Sequence, residues 1–199
     1  MHGSGLENTR LRDIGITALY AVIVALLLRI FILGAYEIPS HSMEETLLPG
    51  DYIVVSKITY HLRDVHRGDV VVFKHWDSLQ DKREELFIKR VVGLPGDTLV
   101  FTPDGIIVNG SPLPTPPQAK IPTSPLLPSM KPNTRIIVGA DSVFVVGDNR
   151  RNSYDSRYWG AVAKSEITGS PLFIYWSHGP SESNPLPHIR WERIFDGIN

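Results

Sequence analysis

The longest apolar stretch of the chain, IGITALYAVIVALLLRIFILGAY at 14–36, restricts the rest more than any other feature. A helix crosses a bilayer with about 20 mostly apolar residues, and no other segment of the chain reaches that length. Its single charge, Arg29, stands seven residues from the end of the run, where the guanidinium can reach the headgroups while its stem stays in the apolar layer. The run exceeds the roughly 7 to 15 residues of a cleaved leader's apolar region and lacks a small-x-small exit, so an uncleaved anchor is expected. Arg10 and Arg12 precede it, whereas its far flank begins with Glu37 and has no lysine before Lys57. That asymmetry predicts residues 1–13 in the cytoplasm and residues 37–199 exported.

Composition removes several classes of function. The 20 basic and 21 acidic residues leave a net charge of −1, which provides no field for nucleic acid, and no nucleic-acid partner is expected. With no cysteine, disulfides, thiolate metal sites and cysteine nucleophiles are all ruled out. His61 and His66 lie five apart, with no carboxylate or third histidine at ligand spacing, so no metal site is expected.

Beyond the apolar run come short segments rich in Val, Ile and Phe, bounded by Gly, Pro and Asp: DYIVVSKI, GDVVVF, LFIKRVV, TLVF, GIIVNG, RIIVG, SVFVVGD and LFIYW. Segments of this length predict strands joined by tight turns, and hence a mainly β domain of antiparallel sheets behind the helix. DGIIVNG at 104–110 reads as a strand between two turns, with NGSPLP as the return turn of a small hairpin. Residues 111–134 hold eight of the sixteen prolines and are expected as an extended surface excursion. Residues 98–141 thus form an insertion or second β subdomain, and SHGPSESNPLPH at 177–188 is expected as a loop.

Two serines, Ser40 and Ser42, stand just past the apolar run in IPSHSM. In an extended segment side chains alternate, which puts both hydroxyls on one side and His41 on the other. The remaining histidines are scattered, and no G-x-S-x-G elbow is present, so a serine nucleophile here needs another base. Lys89 is the candidate: alternation along LFIKRVV sets it on one face with Phe87 and Val91. Burial there disfavours the ammonium, and a fall of roughly 2 to 2.5 pKa units corresponds to about 3 kcal/mol. A neutral amine can take the Ser42 proton and return it to the leaving amine.

IPSHSM, GDVVVF, KRVVGLPGD and GDNRRNSYDSR, in this order behind an N-terminal anchor, closely resemble the bacterial type I signal peptidases, and the C-terminal IRWERIF is also similar to theirs. The resemblance implies Ser42 as nucleophile, Lys89 as general base, and Ser40 as a hydroxyl donor to the oxyanion beside the backbone N–H of Ser42. It makes Ser153 the serine that holds the lysine amine, with Asp155 and Arg157 fixing its loop. Three positions depart from the family pattern: His41 for a glycine, Glu45 for a proline and Arg151 for an aspartate. Those loops are expected to differ in detail.

The expected function is therefore a membrane-bound serine endopeptidase that removes signal peptides from exported preproteins through an acyl-enzyme, without a cofactor. The implied setting is the bacterial cytoplasmic membrane, with the catalytic domain on the far side from the cytoplasm. Ser42 lies six residues past Tyr36, no more than about 20 Å from the end of the run, close to where a signal peptide presents its scissile bond. Ile38, Pro39, Met43, Leu47, Phe87 and Ile88 are the expected shallow pockets, and the resemblance implies cleavage after Ala-x-Ala-like sequences. Met43, Trp159, Trp176 and Trp191 are candidates to rest on lipid. Two rivals stand beside this reading: a soluble repressor-type serine/lysine peptidase, against which the anchor argues, and a tethered β domain that binds exported peptides without cutting them.

Overall fold

The computed structural model describes residues 4–76, 84–114, 130–180 and 188–198. Helix α1 (Ser4–Leu27) continues into a π-helical turn over Leu28–Ile32. Residues Arg12–Ile32, with mean hydropathy 2.4 and none of the apolar window buried, are long and apolar enough to cross a membrane.

The helix ends earlier than the apolar run does. Leu33–Glu37 forms strand β1, paired antiparallel with β2 (Asp51–Ser56) from Leu33↔Ser56 to Glu37↔Tyr52. Apolar content alone does not distinguish a helix from a strand, and here the backbone pairing and the packing of Tyr36 on the core decide. Lys57 closes the helix end: its Nζ donates to the Ile30 carbonyl at 3.0 Å and its backbone N–H to that of Ile32 at 2.8 Å. The last carbonyls of a helix have no intrahelical donor, so these bonds fix the exit geometry.

After the one-turn helix α2 (Thr59–Leu62) come β3 (Val70–Trp76) and β4 (Glu84–Gly93), then the small sheet of β5 (Thr98–Thr102), β6 (Gly105–Val108), β7 (Ser111–Pro112) and β8 (Thr134–Ile137). The chain returns through β9 (Ser142–Val146), α3 (Ser156–Trp159), β10 (Val162–Ala163), the long β11 (Ile167–Gly179) and β12 (His188–Ile189). The main sheet runs β1-β2-β11-β3-β4-β9-β10, with β12 on β11, and the small sheet runs β7-β6-β5-β8. All pairings among them are antiparallel.

Burial follows from the sequence pattern. β5 alternates, with Leu99 and Phe101 buried and their neighbours half-exposed, so one face is covered. Val70 to Phe73 of β3 are all buried, because apolar clusters pack on both faces there. The Asn109-Gly110 turn takes φ of 51° and 86°, the left-handed pair that a two-residue hairpin requires.

Two loop expectations change at their edges. Ser111–Pro112 is an edge strand on β6, and residues 115–129 of the proline-rich stretch lie outside the described residues. Of 177–188, Ser177 to Gly179 prolong β11 and His188 opens β12, while 181–187 are again outside the description.

Candidate active site

Ser42 is delivered by a bend. The segment after β1 is extended only to Ser40, and His41–Met43 then forms a single 3-10 turn. The alternation expected from IPSHSM is therefore replaced by a turn that still brings Ser40 Oγ within 3.3 Å of Ser42 Oγ. His41 points away, 59% exposed, with Nδ1 3.7 Å from Glu44. Met43, the next residue, is fully buried and plugs the turn into the first apolar cluster beside Ile38, Leu47 and Ile53.

Lys89 arrives from β4, opposite Val71 of β3. Its side chain is almost wholly buried, with the amine 5.4 Å from the Phe87 ring centre. Nζ donates to Ser42 Oγ at 2.7 Å and to the Ile88 carbonyl at 2.9 Å. Burial pulls the amine down to about 8, against the opposing pull of the Asp155 and Asp148 carboxylates. A substantial fraction is therefore neutral near physiological pH, a state in which the Ser42 hydroxyl donates to the nitrogen instead.

The loop 147–153 clasps the serine turn from the other side. Asn149 N–H donates to the Ser42 carbonyl at 3.0 Å, and its Nδ2 donates to the His41 carbonyl and to Glu44, each at 3.1 Å. Asp148, fully buried, accepts from Arg90 through both oxygens at 2.8 Å and from Thr46 Oγ1 at 2.6 Å. Asp155 accepts from Arg157 at 2.8 Å twice and from the Gly147 N–H at 3.0 Å. Gly147 tolerates no side chain: an added Cβ would lie 2.2 Å from Ser153 Oγ and 2.4 Å from the Ser42 carbonyl oxygen.

A third buried carboxylate, Asp51, locks the far end of the serine turn. It accepts from Ser177 Oγ at 2.6 Å, from the Leu48 N–H at 2.8 Å and from Arg193 Nη2 at 2.7 Å, and Arg193 also donates to the Thr46 carbonyl. These contacts give IRWERIF a role that sequence reading left blank. Asp148, Asn149, Gly147 and Arg90 were missed too, although all four lie inside quoted motifs. A Gly-Asp-Asn run facing a Lys-Arg pair was the available signal.

Of the expected residues, Ser40, Ser42 and Lys89 are brought together, and Asp155 pairs with Arg157 within the loop that carries Ser153. Ser153 is buried, and its hydroxyl has no hydrogen-bond partner and turns toward the Cα of Gly147. The second bond of the amine goes to Ile88 instead. A cleft of about 410 Å³ opens over the pair, lined by Pro39, Phe87 and Ile88 as expected, and by Glu85, Leu86, Asn152 and Tyr154, which were not. Ile38, Met43 and Leu47, expected as pocket residues, are buried in the first apolar cluster and do not line this cleft. Met43 therefore cannot rest on lipid. Trp159 is half-buried and stacks on His75 at 4.2 Å, whereas Trp176 and Trp191 form an exposed edge-to-face pair at 6.2 Å.

The fold and these groups define a class: a mainly β hydrolase behind an apolar N-terminal helix, with an amine and a hydroxyl in one buried contact. The chain belongs to the signal peptidase family, peptidase S26, whose model matches residues 11–176. It is 41% identical over 184 residues to a probable signal peptidase I-2 of Synechocystis, covering 92% of this chain and 77% of that one. A signal peptidase I of Leptolyngbya laminosa is 40% identical (78% of this chain, 75% of that one), and one of Bacillus caldolyticus is 35% identical (78% and 86%).

Proposed function

We propose that this signal peptidase is membrane-bound and cleaves preproteins by a serine/lysine acyl-enzyme mechanism, with Ser42 as nucleophile and Lys89 as general base. The observation that carries the reading is the 2.7 Å contact between the Lys89 amine and the Ser42 hydroxyl, in a site that lowers the amine to about 8. Neutral Lys89 takes the proton as Ser42 Oγ attacks the carbonyl after the P1 residue, then passes it to the leaving amine. Water, deprotonated by the same amine, hydrolyses the ester. The developing oxyanion is met by the Ser40 hydroxyl and the Ser42 N–H.

Ser153 is the candidate positioning residue for the amine. The ammonium has three N–H groups and uses two, and Ser153 Oγ is buried with its valence unused. Asp155 and Arg157 hold the backbone of that loop.

The cleft fits an extended peptide. β9 meets β4 only from Arg90 to Gly93, so Glu84 to Lys89 present an edge without a strand partner among the described residues, opposite the extended segment 38–40. Main-chain bonds to such edges hold a strand, and the small recesses at Pro39, Phe87 and Ile88 favour short side chains such as alanine at P1 and P3. The apolar helix over Arg12–Ile32 supports a reading in which the cleft lies near the bilayer, the N-terminus is cytoplasmic and the substrates are signal-peptide-bearing preproteins.

The test uses detergent-solubilised full-length protein and a preprotein with an Ala-x-Ala site. Mature product should appear with the wild type and be lost with Ser42→Ala and with Lys89→Ala. Undiminished cleavage by either variant would remove that residue from the mechanism.

A further inference from the structure

Behind the loop 147–153 three guanidinium groups surround a recess of about 150 Å³, lined by Arg67, Arg90 and Arg150 with Val92 and Leu113. Two of them are balanced: Arg67 Nη2 lies 2.9 Å from Asp97, and Arg90 grips both oxygens of Asp148 at 2.8 Å. The other nearby carboxylate, Asp155, is occupied by Arg157. Arg150 is left over. It is only 6% exposed, its buried Nε has no hydrogen-bond partner, and no carboxylate pairs with it among the described residues.

This arrangement is unfavourable as it stands. Burial pulls the Arg150 guanidinium down to about 10, with Arg157 and Arg90 adding repulsion and Asp148 and Asp155 opposing, so it stays charged at neutral pH. A buried charge without a partner costs several kcal/mol, and arginine cannot escape by losing its proton. Arg150 and Leu113 also border a second recess of about 460 Å³ beside the small sheet, so Arg150 lines both spaces.

We infer that Arg150, with Arg67 beside it, forms a binding site for one phosphate-type oxoanion. The charge balance calls for a single negative group, because every nearby carboxylate already has its own arginine. A guanidinium offers parallel N–H donors that match such a group, and aliphatic walls from Val92 and Leu113 keep water from weakening the contact. Inorganic phosphate and an anionic phospholipid headgroup supply the same chemistry. The site does not involve Ser42 or Lys89, so binding is measurable whether or not the proposed catalytic mechanism holds.

Thermal unfolding of the full-length protein in nonionic detergent tests this in two arms. In one, inorganic phosphate replaces chloride at constant ionic strength; in the other, phosphatidylglycerol micelles replace phosphatidylcholine in phosphate-free buffer. At about a hundred times the dissociation constant, the midpoint of wild-type protein should rise by roughly 5–10 °C in the arm that supplies the ligand. Arg150→Met should lose the response, and Arg150→Lys, which keeps the charge without the fork, should retain part of it. A response to phosphate assigns the free anion; one confined to phosphatidylglycerol assigns the headgroup. No shift of the wild-type protein in either arm, or equal shifts for wild type and Arg150→Met, overturns the proposal.

Discussion

The Lys89 amine and the Ser42 hydroxyl, 47 positions apart in the chain, lie 2.7 Å from each other in a site shielded from water. One comes from the middle of β4 and the other from a 3-10 turn at the end of an edge strand. Both sit at the border of one apolar cluster, to which Ile38 and Met43 beside the serine and Ile88 beside the lysine belong.

The first prediction concerns pH. Lys89 acts as a base only when neutral, and burial sets its midpoint at about 8. Below that value kcat/KM on a signal-peptide substrate should rise about tenfold per pH unit, then level off above it. A profile flat from pH 6 to 9 would show that another group takes the proton.

The same burial has a consequence for stability. Folding lowers the amine from 10.5 to about 8, so the unfolded chain binds more protons between those values. Stability therefore increases with pH across that window, and the penalty is fully present below about 8. Lys89→Met should remove it, making the variant more stable than wild type by up to about 3 kcal/mol at pH 6.5, less whatever the lost Ser42 contact contributes. By pH 10.5 the advantage should be largely gone. Urea unfolding at the two pH values checks this; a difference independent of pH would contradict it.

Much of this site was legible in the sequence, but for chemical rather than geometric reasons. Ser42 and Lys89 stood out because a serine without a histidine partner needs some other base, and a lysine within LFIKRVV can be dehydrated. The strands were legible wherever short Val- and Ile-rich runs ended in Gly, Pro or Asp. β1 was hidden because LGAYE continues an apolar run, and only pairing with β2 tells strand from helix there. The alternation read from IPSHSM also failed, since the turn at His41 to Met43 replaces a period of two with a period of three. The buried carboxylate of Asp51 could not be anticipated, because its partners Ser177 and Arg193 stand 126 and 142 positions away.

Glu45 sits at a φ of 83°, a left-handed conformation that a side chain with a Cβ adopts at a penalty of about 1 kcal/mol or more. The resemblance implies a proline here, whose ring fixes φ near −65° and so does not fit the Glu45 backbone. Glu45→Gly should unfold at a temperature no lower than wild type, whereas Glu45→Pro, the substitution toward the family residue, should lower the midpoint by several degrees and reduce cleavage. A Pro variant as stable as wild type would mean that the turn accepts both conformations equally.

Gly147 gives the sharpest separation of packing from positioning. A methyl group there would press on the Ser42 carbonyl at 2.4 Å and on Ser153 Oγ at 2.2 Å, and the carbonyl is backbone that cannot rotate away. Gly147→Ala must therefore shift the serine turn, and displacements of about an ångström lower rates by roughly a hundredfold. Gly93 makes the control, since its added Cβ would meet Phe144 and Val138 side chains at 2.9 Å in the cluster between the sheets. Both substitutions overpack and should lower stability by about 1–3 kcal/mol. Only Gly147→Ala should also lower kcat by about two orders of magnitude, at temperatures where each variant remains folded. If the two variants lose kcat to the same extent, loop 147–153 does not position the nucleophile.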